Sequence, residues 1–360
     1  MGPTAPARHL TGGPDRTDTL WRLPLWFPSA GPRDGDDVPT GQDDQRHREP
    51  AVFIVNPRAG AGKAGRSRVR LKKAIERHFS DARIIPTERP RHATELARRA
   101  CDEGARTVVA VGGDGTCHEV VQGLLGQDGK LRSDVVFATV PQGTGSDLQK
   151  SLGLPSRLDD MMRVAAKGPL RRWDVGRATM GEGNPKVEYF INVAGFGANG
   201  EVVRRANKMS KSWGGLATFY IATVQTAFSY EAPVVHLRWE AADGIHEREA
   251  DVLSAFLANG AFCGGGMDVG NGGRPDDGFF DITILPPDPF VIQLMRSRRL
   301  YDGSLHAWPG VRQFRAKWLE ARVVEGEEAR IDLDGEQPGS LPARFDVLPG
   351  CLPIRCAAES

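Results

Sequence analysis

Between Ala51 and Val140, short unbroken apolar runs alternate with stretches whose apolar residues recur at helical spacing. AVFIV (51–55), RII (83–85), TVVAV (107–111) and VVFATV (135–140) contain almost no polar residue, which predicts strands buried on both faces. Between the first two, SRVRLKKAIERHF (67–79) puts Val69, Leu71, Ile75 and Phe79 on an amphipathic helix. ATELARRACDEG predicts a second helix ending at Gly104, and TCHEVVQGLL a third. Strand and helix alternating in this way predict an α/β fold, a mostly parallel sheet covered on both faces. Ligands of such sheets sit at the carboxyl ends of the strands.

Beyond about Asp174 the texture becomes strand-rich, with the runs EYFINVAG, VVHLRWE, VLSAFLANG, FFDITIL and ARFDVLP. Helices are expected near Glu201 to Met209, Leu216 to Tyr230 and Phe290 to Leu300. The expected division is an α/β domain over 51–173 and a β-rich domain over 174–356, with room for the last strands to return onto the first domain. Residues 1–50 are dense in Pro, Gly, Asp and Arg, so a disordered extension is expected there. Its LWRLPLWF island, Leu20 to Phe27, offers Trp21 and Trp26 to a membrane, a partner or its own protein, and Pro24 would break a helix in it.

Charge and composition narrow the function classes. A net charge of +1 and 7% aromatic residues provide neither a basic field nor a stacking platform for nucleic acid. Cys101, Cys117, Cys263, Cys351 and Cys356 are odd in number and form no CxxC pair, which points to free thiols in a reducing cytosol. No apolar run approaches the roughly 18–20 residues that span a bilayer. No basic segment followed by an apolar one marks a secretory signal at the N-terminus. A cytoplasmic location is expected.

Three glycine-rich loops at strand ends carry the candidate chemistry. NPRAGAGKAGR (56–66) satisfies GxGxxG at Gly60, Gly62 and Gly65, but Asn56-Pro57 and the bases Arg58, Lys63 and Arg66 suit a phosphate cradle equally well. The P-loop pattern GxxxxGK[ST] fails at Pro57 and Ala64. In GGDGTCHEV (112–120) two glycines admit a phosphate, and Asp114 beside it implies a cation or a hydroxyl; the competing reading is a tight turn with Asp114 capping a helix from Thr116. PQGTGSD (141–147) offers Thr144 and Ser146 to phosphate oxygens or to a helix cap, and Asp147 to metal-bound water or the helix dipole.

NPRAG, VGGDGT, PQGTGSDL, GGGMDVGNGGRPDDGFFDI and LDGE, in this order, resemble the diacylglycerol kinase catalytic-domain family of bacterial lipid kinases, which includes YegS-like kinases and is related to sphingosine and ceramide kinases. The resemblance covers about residues 51–356. It implies an α/β domain like that of NAD kinases and phosphofructokinases followed by a β-sandwich, with ATP in the cleft between them. It also implies nucleotide-binding roles for Asn56, Pro57, Arg58, Ala59 and Gly60, for Thr87, for Gly112, Gly113, Asp114, Gly115, Thr116, Cys117, His118 and Glu119, and for Gly143 and Thr144. In RPDDGFF it implies a structural Mg²⁺ held by the Asp277 carboxylate and the carbonyls of Arg274 and Phe279. In LDGE it implies a general base at Asp334 or Glu336, with Asp114 organising metal and water. The third loop departs from the family's GTxND, because Ser146 stands where Asn is expected.

Read without the resemblance, both Asp-Gly segments also suit hairpin turns. His118, Cys117 and Cys263 suit ordinary packing, and the bases Arg296, Arg298, Arg299, Arg312, Arg315 and Lys317 suit either anionic headgroups or a solvated face. The resulting expectation is an ATP- and Mg²⁺-dependent kinase acting on a membrane lipid, foremost diacylglycerol, reached by peripheral docking on the inner face of the membrane. A homodimer is left open. The rivals are an NAD kinase, a sphingoid-base kinase, a non-catalytic nucleotide-binding scaffold supported only by Ser146, and a dehydrogenase resting on GAGKAG alone.

Overall fold

The structure is a computed structural model that describes residues 25–27, 47, 49–60, 68–142, 147–209, 215–270 and 272–358. Apart from Leu25–Phe27, His47 and the last two residues of the segment, the expected N-terminal extension lies outside the described residues, as do Gly143, Thr144 and Ser146. β1 (Leu25–Phe27), from the LWRLPLWF island, pairs antiparallel with an edge of the main sheet. Four parallel strands follow: β2 (Ala51–Val55), β3 (Ala82–Pro86), β4 (Thr107–Gly112) and β5 (Val136–Pro141), in the spatial order β1-β3-β2-β4-β5.

Their apolar runs are unbroken because helices cover both faces. Successive side chains point to opposite faces, so Val52 and Ile54 of β2 pack toward α2 (His92–Asp102) and α3 (Asp114–Leu124). Ala51, Phe53 and Val55 pack toward α1 (Arg68–His78) and α5 (Leu158–Lys167). α2 stops where Gly104 turns left-handed (φ 82°), its N–H bonding Cys101 O while Ala105 N–H bonds Ala100 O. A short helix, α4 (Asp147–Ser151), follows β5.

The remainder is a sandwich. β6 (Leu170–Met180), β7 (Lys186–Phe190), β8 (Val193–Gly197), α6 (Ala198–Lys208) and α7 (Gly215–Ser229) lead to β9 (Val234–Ala241), β10 (Gly244–Asp251) and β11 (Ser254–Ala258). A two-stranded ribbon, β12 (Phe262–Cys263) and β13 (Met267–Asp268), precedes β14 (Phe280–Leu285), α8 (Phe290–Ser297) and β15 (Arg312–Ala316). β16 (Trp318–Glu325), β17 (Ile331–Leu333) and β18 (Ala343–Arg355) complete the chain. One layer runs β15-β14-β11-β8-β17; the facing strands belong to the same sheet as the parallel core. Phe190, Phe196, Phe280 and Phe345 fill the space between layers, with Phe190 stacked on Phe280 at 5.3 Å between ring centroids. Each such ring contributes about 1.5–3 kcal/mol by leaving water.

β18 joins the two halves. Its first part pairs with β16, both of its ends pair with β6 on either side of an irregularity between Leu348 and Leu352, and Ile354 lies in parallel register beside Phe137 of β5. EYFINVAG, expected as one run, is interrupted at Ile191 and Asn192. The cause is a carboxylate from a distant turn, Asp334, which takes the N–H groups of Ile191, Asn192 and Val193.

Candidate active site

The parallel register places the ends of β2, β3, β4 and β5 side by side, with Val55 beside Pro86 and Val111, and Gly112 beside Pro141. Asn56, Thr87, Gly113 and Gln142 therefore start their loops along one sheet edge. Asn56 ties two of them: its Nδ2 donates to Thr116 Oγ1 at 3.2 Å, its Oδ1 accepts the Arg58 N–H, and its own N–H bonds Val111 O. Thr87 N–H bonds Val55 O at 2.8 Å, which sets β3's exit beside the first loop. Pro57 and Arg58 form the turn that leaves this edge, and Ala59 and Gly60 follow in helical conformation.

In the second loop, a Cβ on Gly112 would lie 2.3 Å from Thr116 Oγ1, so only glycine allows the helix to start so close to the strand. α3 begins at Asp114 with Gly113 as its cap residue, two residues before the expected start at Thr116. Asp114 caps a different helix: its Oδ2 accepts the N–H of Asp147 at 3.1 Å and its Oδ1 that of Leu148 at 3.2 Å, at the start of α4. Burial, reinforced by the Asp147 charge, raises Asp114 to about 7 against the pull of those N–H bonds. Asp147 is raised as well, by burial, and its Oδ2 accepts the N–H of Gly265 in the GGG segment at 2.8 Å.

The side chains that follow turn to protein partners. Cys117 is buried with its Sγ 3.1 Å from Thr139 Oγ1, and burial pushes the thiol up to about 12. Glu119 accepts the N–H groups of Arg91 and Ala93, capping α2. His118 is buried between two carboxylates, Nδ1 3.3 Å from Asp334 and Nε2 3.8 Å from Glu188. Any nucleotide contact by Cys117, His118 or Glu119 is thereby confined to the backbone.

Asp334 and Gly335 have φ of 52° and 89°, and Leu333 and Glu336 exchange both backbone hydrogen bonds, so LDGE is a two-residue turn of the type that favours Asp-Gly. Asp334 is saturated: Oδ2 accepts from Ile191 N at 2.9 Å and faces His118, and Oδ1 accepts from Asn192 N at 2.9 Å and Val193 N at 3.1 Å. Glu336 points elsewhere. A Cβ placed on Gly115 would sit 3.2 Å from Glu336 Oε1, so this carboxylate lies directly over the GGDGT backbone. Burial would lower His118, but the bonds and charges of Asp334 and Glu188 outweigh it and hold the imidazole up at about 9, an imidazolium at neutral pH. Glu188 is resisted by burial, yet His118, Lys186 and Arg91 bring it down to about 2.

Glu188 and Asp332 escaped the sequence reading. Asp332 is raised to about 7 by burial, opposed by the Gly335 N–H at 2.8 Å and reinforced by Asp334 and Glu336. Its only signal is a carboxylate between Ile331 and Leu333 in an otherwise apolar strand.

The RPDDGFF segment is a loop. Asp174, buried on β6, accepts the N–H groups of Gly278 and Gly350 and donates its own to Pro275 O. Asp277 Oδ1 accepts from Phe279 N at 3.1 Å, and its Oδ2 is paired with the Arg315 guanidinium. Arg315 also lies 3.4 Å from Asp281 and over the Phe279 ring. The Arg315 guanidinium is therefore paired with the one carboxylate, Asp277, that the resemblance assigns to a structural Mg²⁺ together with the Arg274 and Phe279 carbonyls. Among the described residues no group of three or more His, Cys, Asp or Glu is arranged to hold a metal ion. The nucleotide side differs: Asp147 Oδ1 is buried without a hydrogen-bond partner, with the Lys150 ammonium 3.5 Å away, beside an Asp114 that repels it. That donor chemistry fits a cation carried in by phosphates.

A parallel sheet with three loops at its carboxyl edge, met by an acidic turn from a β-sandwich, defines a two-part phosphotransferase architecture. Residues 50–178 match the family described as the diacylglycerol kinase catalytic domain, and residues 192–356 the YegS C-terminal NAD kinase beta sandwich-like domain. A Pseudomonas aeruginosa protein named "Probable lipid kinase YegS-like" is 30% identical over 299 residues, covering 82% of this chain and 92% of its own. A Chromohalobacter salexigens protein of the same name is 30% identical over 260 residues, covering 71% and 78%. The crystal structure of a diacylglycerol kinase from Bacillus anthracis superposes with a TM-score of 0.62 over 86% of this chain and 97% of that one, at 20% identity, which supports the fold. The chain belongs to the diacylglycerol kinase catalytic-domain family and is a lipid kinase of the YegS type.

Proposed function

We propose that the enzyme transfers the γ-phosphoryl group of ATP to the free hydroxyl of diacylglycerol, giving phosphatidic acid and ADP. The observation that supports this reading is the position of Glu336 over Gly115, which puts a carboxylate from the sandwich onto the loop that would hold the triphosphate. In this reading residues 51–173 hold the nucleotide and residues 174–356 present the lipid.

Asn56, the segment to Gly60, Thr87 and the GGDGT backbone would receive the nucleotide, a role the resemblance also implies for Gly143 and Thr144, which lie outside the described residues. Phosphoryl transfer needs positioning and charge neutralisation more than covalent help. Mg²⁺ arriving with the triphosphate would be held by Asp114 and Asp147 and would neutralise its oxygens. The lipid hydroxyl oxygen bonds to the γ-phosphorus as the bridging P–O bond to ADP breaks, and Glu336 takes the hydroxyl proton. Asp334, already filled by three backbone N–H groups and His118, anchors the turn that presents Glu336. No helix among the described residues is long and apolar enough to cross a membrane, so docking on the bilayer surface is the route to the substrate.

The test is labelled ATP offered with mixed micelles of diacylglycerol, ceramide or a sphingoid base, and with NAD in solution. Label in phosphatidic acid, dependent on Mg²⁺, is expected. Label in the NAD product, or in another lipid alone, contradicts the acceptor.

A further inference from the structure

Large apolar side chains are exposed at few places among the described residues, and three of them fall within eleven positions: Val291 at 66%, Met295 at 61% and Tyr301 at 56%. Val291 and Met295 are four apart on α8, so they share one helical face. The same segment carries Arg296, Arg298 and Arg299 against Asp288 and Asp302, a net positive charge. Arg298 is exposed, and the Arg299 guanidinium lies 4.8 Å from the Trp308 ring centroid. Asp302 is committed to Ser304, accepting both its N–H and its hydroxyl.

This patch is joined to the active site. Leu300 O accepts the Asp268 N–H at 2.6 Å, and Tyr301 Oη lies 3.5 Å from Gly264 O. The next residue, Gly265, donates to Asp147, whose own N–H bonds Asp114 in GGDGT. A short bonded path therefore leads from the exposed face to the phosphate loops.

We propose that α8 and the segment through Tyr301 are the surface by which the enzyme sits on an anionic lipid bilayer, Val291, Met295 and Tyr301 entering the headgroup region and Arg298 and Arg299 meeting anionic headgroups. An apolar face flanked by cations binds such a surface through buried area and charge together. The proposal rests on the membrane-lipid reading above but concerns a different step, so the two are measured separately.

The experiment is co-sedimentation of the full chain with vesicles of phosphatidylglycerol and phosphatidylcholine, or of phosphatidylcholine alone, alongside turnover of a short-chain, monodisperse diacylglycerol. Val291→Ser with Met295→Ser should weaken binding about tenfold or more. Arg298→Glu with Arg299→Glu should weaken it only on phosphatidylglycerol vesicles, by roughly fivefold or more per arginine, with the wild-type advantage shrinking in high salt. Turnover of the dispersed substrate should stay at wild-type level in both. Val69→Ser, equally exposed at 68% but on α1, should bind as wild type does. Unchanged vesicle binding by the α8 variants, or an equal loss in Val69→Ser, overturns the docking surface. Absence of lipid phosphorylation by the wild type, with vesicle binding still dependent on α8, would instead count against the acceptor alone.

Discussion

His118 Nδ1 lies 3.3 Å from Asp334 Oδ2, joining the helix of the GGDGT loop to the turn of the LDGE segment 216 residues later. On its other side Nε2 faces Glu188 at 3.8 Å, so one imidazolium stands between two buried carboxylates. Removing the cation leaves both anions in low dielectric. His118→Ala is therefore expected to destabilise the fold by about 3–5 kcal/mol, read as a lowered urea midpoint. A change within a few tenths of a kcal/mol would mean that the histidine is neutral and merely packed.

Two carboxylates two residues apart should separate cleanly by variant. Glu336→Gln is expected to keep the urea midpoint and lose about 10²- to 10⁴-fold in kcat, as removal of a general base does. Asp334→Asn should lower stability, because its four partners were arranged for an anion, and should lower kcat through the displaced turn. Kinetics and melts on both variants check this; the reverse pattern would move the base to Asp334.

Gly115 is expected to tolerate no side chain at full activity. A Cβ there meets Glu336 Oε1 at 3.2 Å, so Gly115→Ala should shift the carboxylate by a few tenths of an ångström and lower kcat by up to about 100-fold with little change in Tm. Circular dichroism melts beside steady-state kinetics distinguish this from misfolding.

Stability of the ligand-free enzyme should be higher near pH 6 than near pH 8.5. His118 titrates at about 9 in the fold and at 6.5 unfolded, so its contribution is complete below 6.5 and fades as pH rises through 9. Asp114 and Asp332 are raised to about 7, so the unfolded chain ionises first and each begins to cost stability above 3.8, fully so above 7. All three effects have the same sign between pH 6 and 8.5. Urea titrations at the two pH values should differ by on the order of 1 kcal/mol or more, and His118→Asn should remove the alkaline part of the difference.

The strand and helix alternation from Ala51 to Val140 was legible because both periodicities are local. The interruption of EYFINVAG was not, because the group that takes its N–H bonds, Asp334, is 142 residues from Asn192. A partner from another part of the chain likewise hid Glu188, an acidic residue on an unremarkable strand until His118 meets it. LDGE shows the two readings of an Asp-Gly segment to be compatible: it is a tight turn, and the turn is what aims Glu336. Asp114 was expected to meet a cation or a hydroxyl beside phosphates, or to cap its own helix. The helix it caps is α4, since Gly113 already occupies the cap position of α3.

The RPDDGFF loop supplies a metal test independent of catalysis. With Arg315 paired to Asp277, Mg²⁺ without nucleotide should leave Tm unchanged relative to EDTA. Arg315→Ala frees the carboxylates of Asp277 and Asp281, and a Mg²⁺-dependent rise in Tm is expected to appear only in that variant. A rise in the wild type would restore the structural metal to this loop.

The proposed reaction carries a phosphoryl group from ATP to diacylglycerol across the contact between Gly115 and Glu336. Single-turnover transfer of labelled γ-phosphate to diacylglycerol in mixed micelles, by wild type and Glu336→Gln side by side, tests it most directly. Rapid formation of labelled phosphatidic acid by the wild type and a loss of at least about 100-fold in the variant, with nucleotide binding retained, is the predicted result. Equal rates in the two proteins, or no labelled phosphatidic acid from either, would contradict it.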